Sequence, residues 1–193
     1  MLLALALAQA ASTASATPPE PAPIPQLEEA TKQVIAQDAE LFWNAFEGCN
    51  ARAVEDLLTG DFRMIHDLSG LVADNRDGFV GSIAQQCAAR EPGGANPGYR
   101  NRRLLVPGSR SVTPLGQWGV LERGMHTFHE LRQRPAGHYG VDDPGGPSWV
   151  QVGGARYIHI WQWMPNEGQF RLAESISVDH GAAAIYPPSN ARE

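Results

Sequence analysis

The sequence has little that would hold it in a membrane or on nucleic acid. Polar residues begin at Gln9, so the apolar opening is far shorter than the about 20 residues that span a bilayer. Lysine and arginine number 15 against 21 aspartates and glutamates, and the net charge of −6 comes without a basic run. This balance argues against nucleic acid or an anionic membrane surface as a partner.

Motifs of several well-known chemistries are also missing. There is no glycine-rich phosphate loop, no Gly-x-Ser-x-Gly nucleophile elbow and no His-Glu-x-x-His pair, so nothing local indicates nucleotide binding, covalent catalysis or zinc. His66, His126, His159 and His180 would suffice in number for zinc, but they lie far apart in the sequence. We expect neither a metal nor a cofactor.

The first sixteen residues are predicted to be a cleavable secretory signal. An uncharged apolar run over residues 1–8 leads to small residues that end in Ala14-Ser15-Ala16, the small-x-small pattern that signal peptidase accepts. No cysteine lies near that point, so we expect no lipid anchor. The proline-rich segment 17–25 is expected to be an extended tether. These features predict an exported protein, either periplasmic or secreted.

The two cysteines, Cys49 and Cys87, are an even pair in a chain that is predicted to enter an oxidising compartment. This context favours a disulfide bond between them; two buried thiols are the alternative. Cys49 follows the first predicted helix, and Cys87 lies on the apolar face of the third. The bond would therefore link the ends of two helices.

Hydrophobic spacing predicts three helices followed by strands. Apolar residues recur at three- and four-residue spacing over 26–46, and Asn50 and Asn75 are placed to cap two further helices. Glycine- and proline-rich stretches separate the strand patterns. The predicted strands are residues 62–67, 71–72, 99–106, 109–113, 119–131, 157–164 and 170–178.

A hydrophobic content of 42% supports one packed domain over residues 26–181, followed by a tail at 182–193. Helices before a run of long strands indicate an α+β fold, in which three helices cover the concave face of one strongly bent, mostly antiparallel sheet. Such a cone leaves a cavity at its open end. The glycine- and proline-rich stretch 132–154 is expected to be a long loop that serves as a lid or a binding loop.

The sequence resembles the nuclear-transport-factor-2-like superfamily over about residues 30–181. The resemblance rests on an ordered set of segments: GDFRMIHDLSGL, GMHTFHEL, RYIHIWQW and SISVDH. More narrowly, the chain is similar to the SnoaL-like, ketosteroid-isomerase-like and domain-of-unknown-function-4440 branches. The resemblance implies a cone-shaped α+β barrel. It also places the chain among isomerases, cyclases, dehydratases and members without a known reaction, many of which dimerise through the outer face of the sheet.

Alternation along the strands places aromatic and histidine side chains on common faces. Tyr157, His159 and Trp161 share one face, and His126 and Phe128 share a face on the preceding strand. If both faces are concave, they line a mostly apolar pocket with a few polar groups. Such a pocket suits a small apolar or aromatic molecule.

Two adjacent pairs, His66-Asp67 and Asp179-His180, can each turn only one member inward along a regular strand. Arg103 is expected to pair with an internal carboxylate, Asp67 or Glu174, or to bind a carboxylate ligand. Each of these side chains has a structural alternative as a hydrogen-bonded core or turn residue. The candidate catalytic residues are His159, Asp67 and Asp179, and the other pocket candidates are His66, Arg103, His126, Phe128, Tyr157, Trp161 and His180.

Two functions fit this pocket. In the first, the exported domain binds a small molecule, and His159 or a carboxylate moves a proton while an imidazole or Tyr157 stabilises an oxyanion, as in isomerases or dehydratases. In the second, the domain is a non-catalytic module that binds a ligand or associates with protein. A homodimer through the outer sheet face is a further expectation.

Overall fold

The computed structural model describes residues 22–138 and 140–181. The predicted signal over 1–16, Tyr139 and the predicted tail over 182–193 lie outside the described residues. None of the helices in the described part combines the length and apolar character that are needed to span a membrane.

The end of the expected tether is attached to the domain. Ala22 donates its N–H to the carbonyl of Pro165 at 3.0 Å, and its own carbonyl accepts from Nε1 of Trp163 at 2.9 Å. Ala22 and Ile24 also pack against the core. This part of the segment is therefore fixed, although it forms neither helix nor strand.

The chain begins with helices whose ends match the cues in the sequence. The helix predicted over 26–46 is an α-helix that continues as a short π-helix. The side chain of Asn50 accepts from the N–H of Ala53 at 3.2 Å, and that of Asn75 accepts from the N–H of Gly78 at 2.8 Å, so both predicted caps are present. The helical segments are α1 (Leu27–Phe42), the π-helix (Trp43–Glu47), α2 (Ala51–Asp56) and α3 (Arg76–Arg90).

Seven strands of the described residues form one sheet in the order β2-β1-β7-β6-β5-β3, with β4 also paired to β5. β1 and β7 run parallel, and the other five pairs are antiparallel. The sheet is strongly curved but not closed, so the predicted cone is an open one. The strands are β1 (Leu58–His66), β2 (Gly70–Ala73), β3 (Asn101–Leu105), β4 (Ser111–Pro114), β5 (Gly119–Arg134), β6 (Gly146–Met164) and β7 (Gln169–Gly181).

The long loop predicted over 132–154 is much shorter in the structure. β5 continues to Arg134, which pairs with Gly146 at the start of β6, so only the residues between them form the loop. The prediction of a long loop rests on glycine and proline, but both residues also occur inside strands here. Gly153 pairs at a β-bulge, and Pro147 lies in a part of β6 that pairs only with β5, an edge position that tolerates proline.

The core lies between the helices and the concave face of the sheet. α1 turns Ala30, Val34, Asp38 and Leu41 inward, the three- and four-residue spacing of a buried helix face. Three of these residues are apolar, and the fourth is a carboxylate. The strands contribute Phe62, Trp161, Trp163, Phe170 and Leu172 to the same apolar cluster.

Cys49 and Cys87 form the predicted disulfide bond, with their Cα atoms 5.5 Å apart. The bond joins the second residue after the π-helix to the last turn of α3. Beside it, Nη1 of Arg90 donates to the carbonyl of Phe46 and lies 3.4 Å from Sγ of Cys49. The ends of two helical segments are therefore held together by a covalent bond and by a buried guanidinium.

Loss of the disulfide is expected to lower the free energy of unfolding by about 4 kcal/mol, because the bond closes a loop of 38 residues and restricts the unfolded chain. Urea denaturation of the oxidised protein and of the Cys49→Ala/Cys87→Ala double variant measures the difference. A reductant should destabilise the natural protein and leave the double variant unchanged. Two titratable thiols in the oxidised, unfolded protein would contradict the bond.

Candidate active site

A cluster of ionisable side chains is buried between α1 and the sheet. The face of β6 that carries Tyr157, His159 and Trp161 is turned inward, and each of these residues is at most 1% exposed. Asp38 on α1 and Glu122 on β5 are also fully buried. Nδ1 of His159 lies 3.2 Å from Oδ1 of Asp38 and 3.8 Å from Oε2 of Glu122. His159 therefore has two carboxylates beside one ring nitrogen.

Two arginines complete this cluster. Nη1 of Arg103 and Nη2 of Arg110 both donate to Oδ2 of Asp38, at 2.9 and 2.7 Å. Nε of Arg110 also lies 2.9 Å from Oε1 of Glu122. Arg103 thus pairs with an internal carboxylate, which is one of the two alternatives predicted from the sequence. That carboxylate is Asp38, however, and neither of the two residues proposed from the sequence.

Glu122 fixes two of the predicted aromatic side chains behind the cavity. The hydroxyl of Tyr157 donates to Oε1 of Glu122 at 2.8 Å, and Nε1 of Trp161 donates to Oε2 at 2.9 Å. The Tyr157 hydroxyl is therefore committed to a carboxylate. Its expected role as an oxyanion donor does not fit this geometry.

The surrounding charges decide the protonation of His159 and Asp38. Burial alone would lower the pKa of His159, but hydrogen bonding and charge attraction from Asp38 and Glu122 outweigh it and raise that pKa above 6.5. Burial likewise opposes the charge on Asp38, yet Arg103 and His159 hold the pKa of that carboxyl well below its usual range. The surrounding charges therefore favour a buried imidazolium–carboxylate pair of His159 and Asp38.

His126 is neutral although it lies in the same cluster. Burial, reinforced by the positive charge of Arg103, lowers the pKa of His126 to about 2. Nε of Arg103 donates to Nδ1 of His126 at 2.8 Å, so the neutral ring carries its proton on Nε2. No described residue accepts a hydrogen bond from this buried Nε2. It is therefore a donor that a ligand can satisfy.

A cavity of about 380 Å³ lies between the helices and the sheet, a size that suits a small molecule. Its wall is mostly apolar and comes from α1, the π-helix, α3 and the concave strands. The buried His126 and His159 line its inner part, whereas the half-exposed His66 and His180 and the exposed Val72 line its mouth.

The structure separates the predicted pocket residues into three groups. Five of them line the cavity: His66, His126, Phe128, His159 and His180. Arg103, Tyr157 and Trp161 lie in the layer behind the wall. Asp179 lies on the outer surface, 3.2 Å from Nε of Arg156, so this catalytic candidate does not reach the cavity.

Asp67, the remaining catalytic candidate, lies at the cavity mouth, where its carboxylate contacts His180. Its Oδ1 lies 2.6 Å from Nδ1 of His180, and its Oδ2 accepts the backbone N–H of His180 at 3.1 Å. The ring of His66 stacks on that of His180 with 3.8 Å between the ring centres. The two adjacent pairs recognised in the sequence are therefore brought together, with His66 and His180 turned toward the cavity.

Two groups of side chains bring three possible metal ligands within 4.8 Å of one another: Asp38, Glu122 and His159, and His66, Asp67 and His180. In the first group, both carboxylates already pair with guanidinium groups. In the second, both Nδ1 atoms have hydrogen-bond partners. We therefore interpret both groups as hydrogen-bond networks.

Sequence reasoning missed four residues of these networks: Asp38, Arg110, Glu122 and Ser177, whose Oγ lies 3.3 Å from Nε2 of His180. Asp38 had a visible signal, because it lies four residues after Val34 and three before Leu41 on the apolar face of α1. Glu122 had a signal as well, because it lies four residues before His126 and therefore on the same face of β5. An acidic residue on an apolar face is a reason to search for buried partners.

Replacing Asp38 by asparagine is expected to destabilise the protein by about 3–5 kcal/mol, because two guanidiniums and an imidazolium then lose their buried counter-charge. The matched control is Asp179→Asn, at an exposed aspartate paired with Arg156, which should cost less than about 1 kcal/mol. Urea denaturation of both variants gives the comparison. Equal effects would contradict the role given to Asp38.

His126 should make the protein less stable in acid. The unfolded chain binds a proton on this ring as the pH falls below 6.5, whereas the folded chain, with a pKa of about 2, does not. The free energy of unfolding therefore falls, by up to about 1.4 kcal/mol per pH unit. His159, whose pKa is raised, loses its stabilising contribution only above pH 6.5.

The measurement is denaturant unfolding between pH 6.5 and about 4.5. His126→Gln should have a shallower pH dependence than the natural protein, whereas His138→Gln, at an exposed position, should keep the natural slope. An unchanged slope in His126→Gln would mean that the ring is charged in the folded state.

No family model and no curated protein matches the sequence, whereas many solved structures share its fold. A nuclear-transport-factor-2-like protein from Novosphingobium aromaticivorans aligns with a TM-score of 0.56 and 15% identity over 86% of this chain and 88% of its own. A candidate scytalone dehydratase from the same species has a TM-score of 0.54 and 7% identity over 80% and 88%. A protein from Catenulispora acidiphila, solved with the small molecule S-DNPA, has a TM-score of 0.55 and 12% identity over 78% and 94%. The chain therefore has the nuclear-transport-factor-2-like fold.

Proposed function

We propose that the domain binds a small, largely apolar molecule that carries a hydroxyl or carbonyl group, and that it moves a proton on this molecule in an isomerase- or dehydratase-type reaction. The observation that carries the proposal is that one cavity wall holds His159, which faces two carboxylates, and His126, which faces a guanidinium. These neighbours favour the charged form of the first ring and the neutral form of the second. Two imidazoles with opposite protonation in one site are typical of acid–base catalysis.

His159 is the proposed acid. Its Nδ1 faces Asp38 and Glu122, and the ring of Phe42 stacks on it at 5.6 Å. The ring edge that carries Nε2 is the part left to meet a ligand in the cavity. Asp38 is a positioning residue, because it keeps the proton on the ring and fixes its orientation.

In a dehydration, Nε2 of His159 gives its proton to the ligand hydroxyl, whose C–O bond breaks to release water. The ring, now neutral, takes a proton from the neighbouring carbon as the double bond forms, and this restores the imidazolium. Nε2 of His126 donates a hydrogen bond to an oxygen of the ligand and holds it against His159. The largely apolar cavity wall strengthens both interactions by excluding water.

The structural neighbours support this proposal at the level of the fold. One neighbour is named as a candidate scytalone dehydratase, and another was solved with a small molecule. Export and a homodimer through the outer sheet face belong to the same proposal. A disulfide between Cys49 and Cys87 is compatible with an oxidising compartment.

The first measurement is a thermal-shift screen of the purified protein against steroids, polyketide-like compounds and aromatic hydroxy acids and ketones. Compounds that raise the melting temperature are then incubated with the protein, and loss of water or uptake of solvent deuterium is followed by mass spectrometry. His159→Gln should lower the rate by at least about 100-fold. The Ser175→Ala variant changes another side chain of the cavity wall and should keep most of the rate.

Binding without water loss or deuterium uptake for any ligand would contradict the enzymatic part and leave the non-catalytic binding module. Absence of any thermal shift would contradict the small-molecule site as a whole. A rate that survives in His159→Gln would remove His159 from the mechanism.

A further inference from the structure

We propose that Ser177, His180 and Asp67 form a second reactive group at the cavity mouth, in which Ser177 is a nucleophile toward small esters with an apolar acyl group. Oγ of Ser177 lies 3.3 Å from Nε2 of His180, whose Nδ1 lies 2.6 Å from Oδ1 of Asp67. In acyl-transfer sites on unrelated folds, a nucleophilic side chain likewise hydrogen-bonds to a histidine base, and a carboxylate orients that base. The assignment is independent of the proton transfer by His159.

The carboxylate is held in the position that this role requires. Oδ2 of Asp67 accepts the backbone N–H of His180 at 3.1 Å, while the backbone N–H of Asp67 donates to the carbonyl of Ser177 at 3.0 Å. With Oδ1 against Nδ1, the neutral ring of His180 keeps its proton on Nδ1. Its Nε2 is then an acceptor for the hydroxyl proton of Ser177.

A local distortion of β7 brings the serine and the histidine together. In a regular strand, residues three apart face opposite sides, so Ser177 and His180 would not meet. Asp179 has a φ of 58°, and the pairing with β6 shifts between Gly154 and Arg156. This bulge turns His180 to the side of Ser177 and leaves Asp179 outside.

The left-handed backbone is unfavourable for a residue other than glycine. Bulges of this kind redirect side chains and are common beside active sites. A strained residue that serves to join Ser177 to His180 is an independent observation in favour of a reactive pair.

His66 supplies a donor for the oxygen of the attacked carbonyl. Its Nδ1 accepts the N–H of Leu68 at 3.1 Å, so the neutral ring has its proton on Nε2. Nδ1 of both His66 and His180 faces Oδ1 of Asp67, at 3.4 and 2.6 Å, and the two rings are stacked within 22° of parallel. Nε2 of His66 is the ring nitrogen left for the attacked oxygen, and His66 and Ser177 line the same cavity.

The reaction balances without any further cofactor. Oγ of Ser177 bonds to the acyl carbon while its proton passes to Nε2 of His180, and the developing oxyanion accepts from His66. The bond from the acyl carbon to the alcohol oxygen then breaks, and His180 returns the proton to the alcohol. Water attacks the acyl-enzyme in the same manner, which releases the carboxylic acid and restores the serine.

The surroundings of Ser177 determine the substrate class. Ser177 is 4% exposed and lines the cavity, so it reacts with a group that has entered the cavity. Leu71 and Val72 of the adjacent β2 are 58% and 50% exposed, and Val72 forms part of the wall at the mouth. An apolar acyl group fits the cavity, and the alcohol leaves toward solvent.

The test uses the purified protein with a fluorophosphonate probe and with p-nitrophenyl butyrate. We expect one covalent adduct, located on Ser177 by peptide mass mapping, and ester hydrolysis above the buffer rate. Ser177→Ala should abolish both, and Asp67→Asn should slow hydrolysis by at least about 100-fold. The control, Ser148→Ala, removes the hydroxyl of a β6 serine outside the cavity wall and should keep both.

Absence of an adduct on Ser177 in the natural protein overturns the proposal, and this result does not depend on how any variant folds. Hydrolysis that persists in Ser177→Ala, that falls equally in Ser148→Ala, or that is lost with a chelator also overturns it. The dehydration assay is read on His159, so the failure of one proposal is distinguishable from the failure of the other.

Discussion

The inner wall of the cavity depends on the carboxylate of Asp38. A buried charge is costly unless ion pairs and hydrogen bonds compensate for it, and here they come from far along the chain. Arg103 lies on β3, Arg110 precedes β4 and His159 lies on β6. The single aspartate therefore ties α1 to three parts of the sheet. Through Arg103 it also orients His126.

The same network gives two neighbouring histidines opposite protonation. His159 faces two carboxylates and gains a proton, whereas His126 faces a guanidinium and loses one. Burial lowers both pKa values and is the main reason that His126 is neutral. Only at His159 do neighbouring charges, those of two carboxylates, outweigh burial. The cavity wall thus holds a charged proton donor, His159, beside a neutral hydrogen-bond donor, His126.

The sequence predicts what depends on local periodicity. Helix spacing, the asparagine caps and the inward face over 157–161 follow from it, and the paired cysteines follow from their context. The partners of Asp38 remained hidden because they lie more than 60 residues away along the chain, and no local pattern encodes such a pairing. The contact between Ser177 and His180 remained hidden for another reason: it depends on the bulge at Asp179, which reverses the alternation from which side-chain directions are inferred.

The disulfide has a consequence for how the cavity selects its contents. Phe46 of the π-helix and Gln86 of α3 both line the cavity, and the bond between Cys49 and Cys87 lies next to both of them. This side of the wall cannot spread to admit a wider molecule. The width of the cavity on this side is therefore set before a ligand binds, and ligands are selected by their width.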